Sequence, residues 1–393
     1  MINLWSDKDS KSFIKSDLDL RVYTSRLLGL NPELVLHGGG NTSVKGTIKN
    51  IFGDSKDVLF IKGSGWDLAT IEKEGFSPVD LNYLIKLSSL SKLSDTEMIK
   101  HQRLATLDPK SPSPSIEAIL HALIPYKFVD HTHADSVLAI TNTPNGRKKI
   151  KEIYGPDLLI VPYVMPGFIL AKTIAEMTKK VSWEKLKGMI LLNHGVFSFA
   201  DTAKDSYDQM IKIVTEAEQY LSSQKVWGNF SKASSKVNLL DFALIRKTAS
   251  DASGKPCIAL LDDSPEAVGF SKLKNVKSLV FKGTLTPDHV IRTKPFPWII
   301  DKKIEMSSKK FEEQYENYFK KNSNNKLTKL KNNPKWALWT GFGTISFSDS
   351  IKEAKIISDI NKHTIRAMQT SNNLEDWEPI SFKDLFDIEY WEL

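Results

Sequence analysis

Phe128-Val129-Asp130-His131-Thr132-His133-Ala134-Asp135 reads as a short β-strand ending on two histidines spaced two apart. Residues i and i+2 of a strand face the same side, so both imidazoles can reach one point in space. A divalent metal is the usual reason to place them so. An exposed His-x-His also arises by chance. The metal reading therefore requires a third ligand, a carboxylate and a substrate cradle from elsewhere in the chain.

The third ligand is found downstream. Lys187-Gly-Met-Ile-Leu-Leu-Asn-His-Gly195 reads as a buried strand with His194 at its end. A lone histidine at a strand end is more often structural. With His131 and His133 it makes three imidazoles and leaves a coordination position open, as catalytic metal sites do. The carboxylate precedes the His-x-His strand. Alternating Ser and Pro in Leu107-Asp-Pro-Lys-Ser-Pro-Ser-Pro-Ser-Ile-Glu117 holds the backbone extended, and Ser115 is placed to cap a helix over 116–124. Glu117 at that helix start can face the metal. Glu117 and His121, at i and i+4, otherwise read as a surface ion pair.

Two glycine-rich stretches lie further upstream. Leu34-Val-Leu-His-Gly-Gly-Gly-Asn-Thr-Ser-Val-Lys45 places three glycines between apolar runs, where backbone N–H groups can approach a ligand. On glycine content alone a hairpin turn accounts for it. The second, Val58-Leu-Phe-Ile-Lys-Gly-Ser-Gly-Trp66, is a strand running into another glycine pair. Two such loops, each with a lysine and a hydroxyl, read as a divided anion cradle.

The bulk of the chain sets bounds on this reading. Its 393 residues, 41% hydrophobic and 26% charged, suit two globular domains. A net charge of +7 could attract nucleic acid, a membrane surface or an anionic metabolite. The densest basic run, Lys326 to Pro334, has no interleaved aromatics, so it reads as a solvated loop or helix end and no nucleic-acid partner is expected. The single cysteine, Cys257, excludes a disulfide framework and a cysteine zinc site. Neither a secretory pattern at Met1–Asp9 nor an apolar run of spanning length is present in the sequence, and a cytoplasmic protein without a membrane partner is expected.

Taken in order, Gly-Gly-Asn-Thr-Ser (39–43), Lys-Gly-Ser-Gly (62–65), Ser-x-Glu (115–117), His-x-His (131–133), Pro-Tyr-x-x-x-Gly (162–167) and Asn-His-Gly (193–195) resemble the class II aldolase/adducin superfamily. The resemblance spans about residues 18–225. It is nearest to the rhamnulose-1-phosphate aldolase part of aldolase/short-chain dehydrogenase fusions. Leu261-Asp-Asp-Ser-Pro-Glu-Ala, Leu285-Thr-Pro-Asp-His-Val-Ile-Arg-Thr-Lys-Pro and Asp387-Ile-Glu-Tyr-Trp extend it over the second half. It implies a three-layer α/β/α domain with a central, mostly antiparallel sheet. The reaction implied is reversible cleavage of a ketose 1-phosphate to dihydroxyacetone phosphate and an aldehyde. A divalent metal, expected to be Zn on His131, His133 and His194, would stabilise the enediolate. By the same resemblance Glu117 is the general base and Tyr163 exchanges a proton with the aldehyde oxygen. Gly40, Asn41, Lys62, Ser64, Gly65, Ser113 and Ser115 hold the phosphate. The family pattern implies a homo-oligomer, tetramer or dimer. His289, Arg292 and Lys294 are further anion-binding candidates, weighed equally against a charged surface turn.

Two departures bear on the substrate. Ile116 stands where fuculose-phosphate aldolases carry a second serine, and Lys62 stands where smaller residues are common. A carboxylate or sulfonate in place of the phosphate stays open, as do an epimerase, dehydratase or decarboxylase on the same fold. Glu117 leans against the epimerase. A non-catalytic, adducin-like scaffold is disfavoured by the complete histidine set, and a subunit passing its aldehyde to a separate dehydrogenase is the last alternative.

The domains expected are 1–225, a linker over 226–238 that is rich in Ser, Gly and Asn, and a C-terminal α/β domain over 239–393. Lys187–Lys204 aligns with Lys335–Lys352 at a constant offset of 148 residues, setting Gly195 on Gly343, Phe199 on Phe347 and Asp201 on Asp349. His194 falls on Phe342. The second domain is therefore expected to be a degenerate, metal-free copy of the first. Gly341-Phe-Gly343 lacks the third glycine and the βαβ context of a dinucleotide fingerprint, and no nicotinamide domain is expected within this chain.

Overall fold

The computed structural model describes residues 1–179, 181–301, 303–324 and 327–391. Two compact units make up the chain. The first holds residues 1–137 and 147–220; the second holds 138–146 and 221–391.

The first unit is built on a seven-stranded sheet. Its strands are β1 (Asn41–Lys49), β2 (Ser55–Lys62), β3 (Phe76–Asp80), β4 (Phe128–Thr132), β5 (Leu158–Val161), β6 (Gly188–Leu191) and β7 (Gly195–Ala200). Their spatial order is β3-β2-β1-β4-β7-β6-β5. Every neighbouring pair is antiparallel except β5 with β6. The His-x-His strand is thus the central one, β4, between β1 and β7.

Alternation along β4 and β1 sorts the two faces of the sheet. Phe128, Asp130 and Thr132 point to the face covered by the helices Asp17–Gly29 and Ala203–Ser223. There Arg21 and Asp130, both fully buried, form an ion pair at 2.5 Å. Ser206 Oγ donates to the second Asp130 oxygen, and the Ser25 and Thr42 hydroxyls meet at 2.8 Å. The other face carries Asn41, Ser43, Val129 and His131 toward the short helix Ala118–Leu123. A continuous core lies on that side, in which Leu59, Ile61, Ile119, Leu120, Val129, Phe168, Met189 and Phe197 are buried together. The arrangement is the expected helix–sheet–helix sandwich.

Several local expectations shift. The glycine loop at 38–40 leads into β1 and is not a hairpin turn; the β1–β2 hairpin turns instead at Asn50–Asp54, where Gly53 adopts φ +88°. The helix expected over 116–124 is shorter, Ala118–Leu123. The helix beginning at Ala203 is capped by Thr202, whose hydroxyl accepts from the Asp205 N–H at 3.1 Å.

The second unit holds a four-stranded sheet of β8 (Ile258–Asp262), β9 (Trp298–Ile300), β10 (Trp336–Trp339) and β11 (Gly343–Ser348), in the order β8-β11-β10-β9. The pairs β8–β11 and β11–β10 are antiparallel, and β10–β9 is parallel. Its core gathers Trp298, Phe296, Phe311, Tyr315, Trp339 and Phe347. The expected linker contains no helix or strand, and Asn238 caps the helix Leu239–Ser253 that follows. Within the basic run, Lys329 pairs with Glu316 and Lys331 donates to the Ser253 carbonyl, whereas Lys326 lies outside the described residues. Among the described residues no helix is long and apolar enough to cross a membrane.

A three-histidine cluster and its carboxylate

Three backbone features bring the imidazoles together. His131 is the penultimate residue of β4, in register with Phe197 of β7 and Asn41 of β1. Just beyond the strand end, the His133 N–H donates to the Leu34 carbonyl and the Asp135 N–H to the Glu33 carbonyl, so the exit from β4 is pinned by the segment before the first glycine loop. His194 sits in the three-residue turn between β6 and β7, where Asn193 adopts φ +59° and the His194 N–H donates to the Leu191 carbonyl.

The resulting ligand atoms of His131, His133 and His194 lie within 4.8 Å of one another. The Nε2 atoms of His131 and His133 are 3.1 Å apart. His131 is fixed in its tautomer: the Val196 carbonyl can only accept, so Nδ1 of His131 carries the proton donated to it at 3.0 Å. Nε2 then presents its lone pair to the cluster, and the backbone carbonyl serves as the outer partner that orients a ligating imidazole. The ring of His131 stacks on Phe197 with centroids 4.2 Å apart and planes 15° from parallel. Gly195 is required here. A Cβ on it would stand 2.4 Å from the Thr132 carbonyl oxygen and 2.8 Å from Cε1 of His131.

Glu117, the residue before helix Ala118–Leu123, reaches the cluster from the neighbouring layer. Its Oε2 lies 3.5 Å from His131 Nε2 and its Oε1 lies 3.8 Å from His194 Nε2. The carboxyl is only 6% exposed. Oε1 is buried without a hydrogen-bond partner among the described residues, while Oε2 accepts from Asn41 Nδ2 at 2.7 Å. A buried carboxylate oxygen left unmatched is costly unless something meets it. Three imidazoles converging beside it are a donor set suited to a divalent cation, so the residues present fit a metal.

The two glycine loops lie side by side. The Lys62–Gly65 turn runs alongside Ser113–Ser115: the Ser64 N–H donates to the Ser113 carbonyl and the Ser115 N–H to the Lys62 carbonyl. A Cβ on Gly38 would come within 3.6 Å of the Gly65 carbonyl. Lys62, buried to 3% exposure, donates to the Gly38 carbonyl at 2.8 Å and so ties the loops together. Gly40 adopts φ +60° with no room for a Cβ, which would meet the His131 carbonyl at 2.6 Å. Gly40, Asn41, Lys62, Ser64, Gly65, Ser113, Ser115, Glu117 and the three histidines therefore form one neighbourhood. Tyr163 lies in the loop after β5, the edge strand separated from β4 by β7 and β6, with its hydroxyl buried.

His121 departs from the sequence reading. It is fully buried rather than a surface partner of Glu117. Its ring is lodged between Ser43 and Asn41, and its pKa lies well below the usual histidine value because burial, and then His131, Lys45 and Arg21, oppose a positive charge there. Sequence reasoning also missed the Arg21–Asp130 pair; an arginine on an apolar helix face and an aspartate inside a buried strand were the available signal. The charged stretch of the second unit is internally matched. Arg292 donates to both Glu353 oxygens at 2.9 Å, and Lys294 lies 3.6 Å from Glu389 and over the Tyr315 ring. His289 and Lys294 are buried, so neither belongs to an exposed turn.

Comparison with known proteins places the chain in a family. Residues 20–221 match the family described as Class II Aldolase and Adducin N-terminal domain, and residues 237–393 match Aldolase class II, second domain. Over its full length the chain is 30% identical to an uncharacterized oxidoreductase, YuxG, of Bacillus subtilis, and spans 59% of that relative's length. The N-terminal class II aldolase domain of a conserved protein from Thermoplasma acidophilum is 40% identical, with a TM-score of 0.51 over 56% of this chain and 99% of that one. The L-fuculose-1-phosphate aldolase of Thermus thermophilus is 16% identical, with a TM-score of 0.34 over 53% of this chain and 98% of that one. The chain belongs to the class II aldolase and adducin family.

Proposed function

We propose that the first unit is a metal-dependent aldolase that reversibly cleaves a ketose 1-phosphate of the rhamnulose-1-phosphate kind to dihydroxyacetone phosphate and an aldehyde. The observation that carries this reading is the unmatched Oε1 of Glu117 beside three converging imidazoles. His131, His133 and His194 would hold the ion, expected to be Zn. When bound, it supplies a Lewis acid that draws charge from the substrate's carbonyl and hydroxyl oxygens.

The chain's own residues supply the rest. Glu117 moves the carbon-bound proton: its Oε1 faces the cluster while its Oε2 is held by Asn41. Burial on the apolar side of the sheet excludes water from the reacting atoms. Lys62, with the hydroxyls of Ser64, Ser113 and Ser115 and the backbone at Gly40 and Gly65, binds the anionic end of the substrate. The compact charge of a lysine tolerates several anion shapes, so a phosphate is favoured by the family pattern and a carboxylate or sulfonate is the alternative occupant. Tyr163 is assigned the proton exchange at the aldehyde oxygen. We place the protein in the cytoplasm as a homo-oligomer.

We read the second unit as a metal-free copy. The order and directions of β8-β11-β10-β9 repeat those of β4-β7-β6-β5. His131 pairs with Phe197, and Leu261 with Ile345, at the matching register. A Cβ on Gly343 would meet the Asp262 carbonyl at 2.1 Å, as one on Gly195 would meet that of Thr132. Leu261, Asp263 and Phe342 occupy the three histidine positions.

A panel of ketose 1-phosphates tests the assignment by release of dihydroxyacetone phosphate. Cleavage by the wild type that is lost in Glu117→Gln with metal retained supports it. Equal rates in both remove Glu117 as the base.

A further inference from the structure

The base is one end of a buried hydrogen-bond chain whose direction is set by chemistry. Four side chains take part: Glu117, Asn41, His121 and Ser43, with exposures of 6%, 6%, 0% and 0%. Asn41 Nδ2 lies 2.7 Å from Glu117 Oε2 and 3.1 Å from Ser115 Oγ. Asn41 Oδ1 meets His121 Nε2, and His121 Nδ1 lies 2.8 Å from Ser43 Oγ.

An ionised carboxylate only accepts, so the Asn41 atom that faces it must be the amide nitrogen. The amide oxygen is then turned to His121, and an oxygen there requires a proton on Nε2. In a neutral imidazole that leaves Nδ1 as an acceptor, which the Ser43 hydroxyl satisfies. One amide orientation and one tautomer match every donor to an acceptor between the four side chains, and leave Glu117 Oε1 to the histidine cluster. The reverse polarity would point the Asn41 oxygen at the carboxylate, two acceptors facing each other in a buried site.

We infer that His121 is a positioning residue: as the neutral Nε2–H tautomer it locks the Asn41 amide, which in turn holds Glu117 in the orientation that leaves Oε1 facing the histidine cluster. His121 acts through Asn41 and touches neither substrate nor metal. The helix Ala118–Leu123 serves both ends of the device, because Glu117 stands at its start and His121 one turn later. The edge of Phe197 packs against His121, with ring centroids 5.5 Å apart, and the same ring stacks on His131. Phe197 therefore keys the relay to the metal ligand without a polar link. Deletion of the ring at 121 leaves Asn41 Oδ1 buried without a donor, so the amide loses the bond that fixes its plane against Glu117.

The inference rests on the reading of Glu117 as the base, and its test separates the two. In metal-free protein labelled with ¹⁵N-histidine, the ring nitrogens of His121 are assigned by the signal lost in His121→Gln. A protonated Nε2 and an unprotonated Nδ1 are expected. The opposite tautomer, or an imidazolium, overturns the inference whatever reaction the protein runs. On a cleaved ketose phosphate, His121→Leu should lower kcat about 10- to 100-fold with KM within about twofold and metal content unchanged. In His121→Gln the terminal amide can still donate to Asn41, and most of kcat should return. Equal kcat in the two variants overturns the role of the Nε2 proton. Should the leucine variant fail to fold, the wild-type tautomer decides: a protonated Nε2 with an unprotonated Nδ1 supports the relay, and a protonated Nδ1 overturns it. A wild type that cleaves no ketose phosphate removes the reading of Glu117 and leaves the tautomer to decide the orientation by itself.

Discussion

Replacing Gly195 by alanine asks how tightly the fold holds the three imidazoles. The added Cβ would stand 2.4 Å from the Thr132 carbonyl oxygen, 2.8 Å from His131 Cε1 and 3.1 Å from His133 Cδ2. Ordinary contact needs about 3.2 Å or more, so β7 and β4 must part by roughly 0.8 Å at this point, and such overpacking costs about 1–3 kcal/mol. The displacement falls on the residue next to His194 and between the other two ligands. Metal–ligand distances tolerate only about 0.2 Å. The expected result is a loss of metal affinity of about 100-fold or more, beyond the 10- to 100-fold typical of disturbing an outer partner. Gly343→Ala is the matched control, since its Cβ would meet the Asp262 carbonyl at 2.1 Å and Gly343 also has φ +127°. That variant should lose at least as much stability and keep its metal affinity. Competition against a chromophoric chelator gives the affinity, and calorimetry gives the stability. Wild-type metal affinity in Gly195→Ala would refute the geometry, as would an equal loss of affinity in both variants.

Arg21→Met leaves the Asp130 carboxylate buried without its cation, and should destabilise the first unit by about 3–5 kcal/mol, read as a lowered urea midpoint. Arg21→Met with Asp130→Asn should recover much of that loss. In the second unit, burial lowers the Lys294 ammonium to about 8 from an ordinary 10.5. Between those values the unfolded chain binds a proton that the folded chain has released, so stability rises with pH across that window. The rise is on the order of 1–3 kcal/mol, and it is countered above pH 10, where buried Tyr315 and Tyr318 keep protons that the unfolded chain gives up. Urea midpoints at pH 7.5 and 9.5 should show the rise in wild type and a smaller rise in Lys294→Met, the remainder coming from Lys45, whose ammonium burial also lowers to about 8.

The candidate site was legible because its signals are local. His131 and His133 share a strand face, the glycine loops are contiguous in sequence, and Glu117 stands at a helix start announced by prolines and serines. His194 is 61 residues from His133 and could be added only by its place at the end of a buried strand. The sheet order, in contrast, depends on which strands pair across long separations. Nothing local says that β4 lies between β1 and β7. For the same reason His121 read as exposed. Its i, i+4 spacing from Glu117 describes the helix, whereas its burial follows from β1 passing over it with Ser43 and Asn41 turned toward its ring. Arg21 was hidden likewise, since its partner Asp130 is 109 residues away. The constant offset between the two halves anticipated the recurrence of β6–β7 as β10–β11. It did not show that β1–β3 have no counterpart in the second sheet, because that offset covered only one hairpin and its helix.

The central claim is that Glu117 moves a carbon-bound proton beside the three-histidine metal site. Solvent exchange of dihydroxyacetone phosphate in D₂O tests it without knowledge of the aldehyde. Proton NMR of the metal-loaded wild type should show stereospecific loss of one hydrogen at the hydroxymethyl carbon. Glu117→Gln, with its metal retained, should exchange at least about 100-fold more slowly. Exchange at the wild-type rate in Glu117→Gln, or no exchange in metal-loaded wild type, would contradict the account.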